Sequence, residues 1–262
     1  MTSLHLEALH RLELGGGSVE TIAGPLTRLA VPPKASGYAD AQLDDTAALP
    51  RKLFRWRPPL RLRLRARASQ AVPQGTLGFG FWNDPFALSL GQGGAARRLP
   101  APPQALWFFY ASPPADLRFT PGAAGHGWKA MQLATRRIPT AVLLALAPAA
   151  VLLAQIPPAR GPVLRRALAQ VRGAEAMVSA GLADWHSYEI DWRPGGAEFR
   201  LDGQLILRTS IPLAGPLGFV AWIDNQYAMA TPESGFRFGL IPTRQAQWLE
   251  IEAFELSAAS EA

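Results

Sequence analysis

The 262-residue chain contains no cysteine, which excludes disulfides, thiolate metal centres and a thiol nucleophile. Histidine is scarce: His5, His10, His126 and His186 are scattered and give no metal-ligand spacing, so no metal is expected. Lysine is scarcer still, with Lys34, Lys52 and Lys129 against a large excess of arginine. The glycine run in "ELGGGS" lacks the lysine and the helix start of a phosphate loop, and Ser and Thr occur in no nucleophile-elbow context, so no cofactor is expected. The N-terminus, "MTSLHLEALHRLELGGG", has no continuous apolar core of the kind a secretory signal needs, and a cytoplasmic location is the expectation.

Hydrophobic residues make up 48% of the chain, enough for a large buried core. The net charge of +6 permits attraction to anions without requiring it. Its most conspicuous source is "PLRLRLRARA" at 59–68, where Arg61, Arg63, Arg65 and Arg67 alternate with Leu60, Leu62, Leu64, Ala66 and Ala68. Strict period-two alternation describes a strand with one face on a core and one in water, the arginines recurring every 6 to 7 Å or so. Glu250 and Glu252, alternating with Leu249 and Ile251, are expected as cross-strand partners, and Glu198 and Asp202 share a face with Arg200. Nucleic-acid binding would call for clustered basic residues interleaved with exposed aromatics, and none is expected here.

Further short alternating runs end in Gly, Pro, Asn or Asp: "TLGFGFW" at 76–82, "ALWFFYA" at 105–111, "WHSYEIDW" at 185–192, "AEFRLDG" at 197–203, "QLILRTS" at 204–210, "PLGFVAWI" at 216–223 and "QWLEIEAFEL" at 247–256. Many short strands with frequent turn signals predict an all-β sandwich over residues 1–262 as one domain. One stretch departs from this: Ile138 to Ala159 runs 22 residues without a charge, between Arg136 and Arg137 on one side and Arg160, Arg165 and Arg166 on the other. Pro139, Pro148, Pro157 and Pro158 argue against an unbroken helix. Residues 138–180 are expected to form a mostly helical insertion that packs over a sheet, covers an apolar ligand or associates weakly with a membrane surface.

Taken in order, "LRLRARASQAVPQGTLGFGFW", "WHSYEIDWRPGGAEFRLDGQLI" and "WLEIEAFEL" resemble the concanavalin A-like jelly roll of the family 16 glycoside hydrolases, the laminarinase and lichenase group. The resemblance runs from about Tyr38 to Leu256 and implies a jelly-roll β-sandwich. In that family two acids sit on a Glu-x-Asp-x-x-Glu strand, since retaining hydrolysis places two carboxyls about 5 to 5.5 Å apart. The corresponding strand here is read as Ala105 to Tyr110, which carries no carboxylate, so the resemblance implies the architecture and not the reaction.

The expected site is an aromatic-lined concave cleft for an apolar or aromatic small molecule or a glycan. Gly78, Gly80, Trp82 and Asp84 share one strand face, as do Gly218, Val220, Trp222 and Asp224 on another, so two strands end in Trp-x-Asp. Candidate ligand-binding residues are Trp82, Trp107, Phe109, Tyr110, His126, Trp128, Trp222, Asn225 and Tyr227. Asp84 and Asp224 are candidate catalytic residues, an acid and base acting on a lipophilic substrate. The same "NDP" and "IDNQ" also read as strand-ending turns in which Asp caps backbone amides. His186, in phase with Tyr188, Ile190 and Trp192, is expected to face the core.

Overall fold

The computed structural model describes residues 5–46, 49–84, 101–120, 122–135, 161–162, 165–166, 169–231 and 235–258. The strands in chain order are β1 (His10–Leu14), β2 (Ser18–Ala23), β3 (Leu26–Val31), β4 (Asp40–Asp44), β5 (Leu60–Ala68), β6 (Thr76–Trp82), β7 (Ala105–Ala111), β8 (Gly127–Thr135), β9 (Val171–Met177), β10 (His186–Arg193), β11 (Gly196–Leu201), β12 (Gln204–Thr209), β13 (Gly218–Asp224), β14 (Gln226–Thr231), β15 (Gly235–Leu240) and β16 (Gln247–Ser257).

Fourteen of them form two antiparallel seven-stranded sheets, ordered β1-β4-β13-β6-β7-β8-β9 and β12-β11-β10-β5-β16-β3-β2, and β14 and β15 form a separate hairpin. The predicted all-β sandwich is therefore present. In β5 the leucines and alanines are buried while the arginines stay at least partly exposed, as the alternation requires. Leu62, Leu64, Tyr188, Ile190, Trp192, Phe199, Leu249 and Ile251 of the second sheet meet Leu77, Phe79, Phe81, Leu106, Phe108, Phe219 and Ile223 of the first in one core. The sheets interlock through rings: Phe79 lies 5.1 Å from Tyr188, Phe108 5.6 Å from Phe199 and Phe81 5.8 Å from Trp192, centroid to centroid.

The expected helical insertion needs correction at its C-terminal end. Val171–Met177 is β9, an edge strand paired with β8 from Thr135↔Val171 to Lys129↔Met177. Ala174, Glu175, Ala176 and Met177 are good helix formers, but intrinsic propensity is a small term, and pairing with β8, which satisfies the backbone, overrides it. Residues 138–160 lie outside the described residues, together with whatever ligand or membrane role was expected of them. Among the described residues no helix is long and apolar enough to cross a membrane.

Candidate functional site

Pairing aligns the outward side chains of β13, β6 and β7 in rows across the first sheet. Trp222, Gly78 and Phe109 form one row; Val220, Gly80 and Trp107 the next; Gly218, Trp82 and Ala105 a third; Asp224, Thr76 and Ala111 close the other end. The two glycines make the rows possible. A Cβ on Gly78 would lie 2.8 Å from the Trp222 ring, and one on Gly80, at φ +149°, 2.6 Å from the Trp107 Cα. The rings therefore fold inward over bare backbone and onto one another. Trp107 stacks on Phe109 at 5.5 Å, meets Trp222 at 5.5 Å and lies 6.1 Å from Trp82.

This brings Trp82, Trp107, Phe109, Trp222 and Tyr227 into one apolar cluster, with Met131, Leu133 and Val220 beneath and beside them. The cluster is tighter than an open cleft: Met131 and Val220 are 1% exposed, Phe109 8% and Trp222 9%. Trp82, Trp107 and Tyr227 remain half-buried. Trp222 Nε1 donates to Thr76 Oγ1 at 2.9 Å and Trp107 Nε1 points at Met131 Sδ at 3.5 Å. Trp82 Nε1 is buried and has no acceptor among the described residues.

Four candidates lie elsewhere. Tyr110 and Trp128, paired across β7 and β8, face the core between the sheets, because alternation turns them away from Phe109 and Lys129. Tyr110 Oη donates to the Pro73 carbonyl at 3.0 Å. Asn225 is buried and ties three segments together, accepting from the Ala39 amide at 2.9 Å and donating to Gly37 and Ile241 carbonyls at 3.0 and 3.2 Å. His126 is on an exposed loop.

The two candidate catalytic carboxylates are at opposite ends of β6. Asp224 pairs with Thr76 at its start, and Asp84 follows Trp82 at its end, so six residues of strand, about 20 Å, separate them. Asp84 has φ +46°, and its carbonyl and that of Asn83 accept from Arg51 at 2.5 and 2.7 Å. Asp224 Oδ1 accepts from Thr76 Oγ1 at 2.8 Å, the Thr76 amide at 3.3 Å and the Gln226 amide at 3.0 Å. Burial pushes its carboxyl up to about 6 even against these bonds.

The carboxyl that does lie beside Asp224 is Asp40, its cross-strand partner on β4. Burial first, and then the Asp224 charge, hold Asp40 well above the usual carboxylate range. Tyr38, hydrogen-bonded to Asp40 and Gln226, is raised too, first by its burial and then by both acids. Nothing local in the sequence signals this trio, because 184 positions separate Asp40 from Asp224.

At the far edge of the same face, Lys129 on β8 and Glu175 on β9 form a buried ion pair at 2.8 Å, each side chain 2% exposed. Lys129 Nζ also donates to the carbonyls of Leu117, at 2.9 Å, and Ala124. Glu175 Oε1 accepts from the Phe119 and Thr120 amides and Thr120 Oγ1, each at 2.9 Å. Burial alone would raise Glu175; Lys129 and these donors outweigh it and hold the carboxyl below its usual range. The pair pins the 115–125 loop over the sheet edge, where the Gly125 carbonyl accepts from the Leu117 amide at 2.7 Å.

The outer face of the second sheet is unlike this. Arg61 bonds Asp191 at 3.0 Å, Arg63 bonds Glu189 at 2.8 Å, Arg65 bonds Glu252, and Arg67 and Arg28 converge on Glu250 at 2.8 and 2.5 Å. Arg67 also sits between Trp185 and Trp248, 4.8 and 5.3 Å from their centroids. The expected Glu250 and Glu252 partners are in place; Asp202 instead binds His186 Nδ1 at 2.7 Å. The arginine row is thus matched by carboxylates on neighbouring strands.

No family model and no curated protein matches the chain. Among solved structures it is similar to a native glycosidic hydrolase, at 12% identity and TM-score 0.49 over 100% of this chain and 97% of the other. It is also similar to LamAcat from Zobellia galactanivorans, at 10% identity and TM-score 0.44 over 89% of this chain and 78% of that one. A sialidase matches at 9% identity and TM-score 0.41 over 93% of this chain, which spans only 16% of the sialidase. These likenesses concern shape alone.

Proposed function

We propose that the chain is a binding protein of glycosidase-like fold, without glucanase activity, that holds a neutral apolar ligand or a glycan against Trp82, Trp107 and Tyr227. The observation that carries this reading is Trp82 Nε1, a buried donor without an acceptor among the described residues, at the half-exposed margin of the aromatic cluster. An unsatisfied buried N–H costs about 1–3 kcal/mol, and an oxygen on a bound molecule would remove that cost. The half-exposed rings supply flat apolar area for the rest of such a molecule.

Against catalysis stands the composition of β7, which the family resemblance would make the acid-bearing strand. Its outward residues are Ala105, Trp107, Phe109 and Ala111. Acid–base chemistry by Asp84 and Asp224 fares no better, since groups about 20 Å apart along β6 do not act on one small substrate.

The test is tryptophan fluorescence titrated separately with a β-1,3-linked glucose hexasaccharide and with dodecan-1-ol. Saturable change with one probe, weakened about tenfold in Trp82→Phe, is expected from the loss of one hydrogen bond. No saturable change with either probe, an unaltered Trp82→Phe titration, or release of glucose from the hexasaccharide would overturn the proposal.

A further inference from the structure

The Asp40–Asp224 pair belongs neither to the core nor to the half-exposed rings, and its surroundings give it a defined consequence. The residues face each other on adjacent antiparallel strands, where opposed Cβ atoms lie about 4.5–5.5 Å apart. They are 4% and 8% exposed. Neither has a Lys, Arg or His partner among the described residues. The titratable groups facing them are Tyr38, hydrogen-bonded to Asp40, and Asp44, four residues along β4, which itself is 3.2 Å from His10 Nδ1. Two buried carboxylates without a cation repel each other strongly, so the pair keeps a proton that isolated carboxyls would have lost.

Two structural elements depend on Asp224. Its Oδ1 accepts from Thr76 Oγ1, which in turn accepts from Trp222 Nε1, so the position of the indole is linked to the carboxyl. The same oxygen accepts from the Gln226 amide, the first residue of the β14–β15 hairpin. Tyr227, next along that hairpin, packs on the aromatic cluster.

We propose that Asp40 and Asp224 form a proton-binding latch: one proton kept by the pair on Asp40 leaves the Asp224 carboxylate to hold Thr76, Trp222 and the root of the β14–β15 hairpin, and its release to solvent sets two buried charges against each other and loosens that end of the aromatic face. In the unfolded chain both carboxyls titrate near about 3.9. The folded protein keeps a proton to higher pH, binds more protons than the unfolded chain in that range, and loses stability as pH rises through it. The ion-paired carboxylates Glu175, Asp191, Glu198 and Asp202, all held below their usual range, are ionised throughout pH 5 to 8 and do not contribute there.

The test needs no ligand, so it fails or succeeds independently of the binding proposal. Urea midpoints are measured between pH 5 and 8 for the wild type, Asp40→Asn and Asp224→Asn, all in a His10→Gln background. The wild-type midpoint is expected to fall relative to both variants as pH rises, leaving the variants the more resistant at pH 8. Carboxyl carbon NMR of the unmutated protein is the second measurement, with one of the pair expected to titrate at pH 6 or above. Parallel midpoint profiles, or titration of both carboxyls below pH 5, would overturn the latch.

Discussion

The outward faces of the two sheets make an instructive contrast. Both belong to seven-stranded antiparallel sheets that share one core, yet one carries rings and the other carries arginines and carboxylates. The ion pairs of the second sheet are mostly open to water, as with Arg63 and Glu189, whose side chains are 49% and 20% exposed. On the first sheet Lys129 and Glu175 form a pair buried on both sides, roofed by the 115–125 loop. The same chemical interaction therefore has different consequences on the two faces. In water the attraction is weak and screened, whereas under the loop each charge depends on the other for its solvation.

Removing single members of these pairs puts numbers on the contrast. Lys129→Met strands the Glu175 carboxylate under the loop and is expected to lower unfolding free energy by about 3–5 kcal/mol in urea denaturation. Glu250→Gln comes next. Glu250 is 1% exposed but its partners Arg28 and Arg67 are about a third exposed, so loss of two charge-assisted bonds should cost about 1–3 kcal/mol by the same measurement. Arg63→Ala should change stability by less than about 1 kcal/mol, and raising the salt concentration should shrink the difference further. Equal effects for Lys129→Met and Arg63→Ala would show that the roof over the first sheet does not exclude water.

Much of the strand plan was legible because alternation is a local signal. The faces of β5, β6 and β13 followed from every second residue, whereas Gly78 and Gly80 meet Trp222 and Trp107 only across paired strands, and the rings fill the room they leave. The same rule places Tyr110 on the face opposite Phe109, so its inclusion beside Phe109 in one ligand site conflicted with the alternation of its own strand. Other features depend on register between distant strands. The matching acids of the arginine row at Glu189 and Asp191, the Lys129–Glu175 pair and the Asp40–Asp224 pair appear only once β10, β9 and β4 are placed beside their neighbours. Val171–Met177 shows the limit from the other direction, since its weak helical preference yielded to a free strand edge on β8.

By itself the sequence determined that this is a cysteine-free, strand-built protein with a row of arginines on a wet face, because period-two burial and turn residues act over a few positions. Only the tertiary structure decided which rings share a face, which carboxyl stands opposite Asp224 and which charges are sealed from water. Those outcomes depend on strand register and burial, and both are set by residues far apart along the chain.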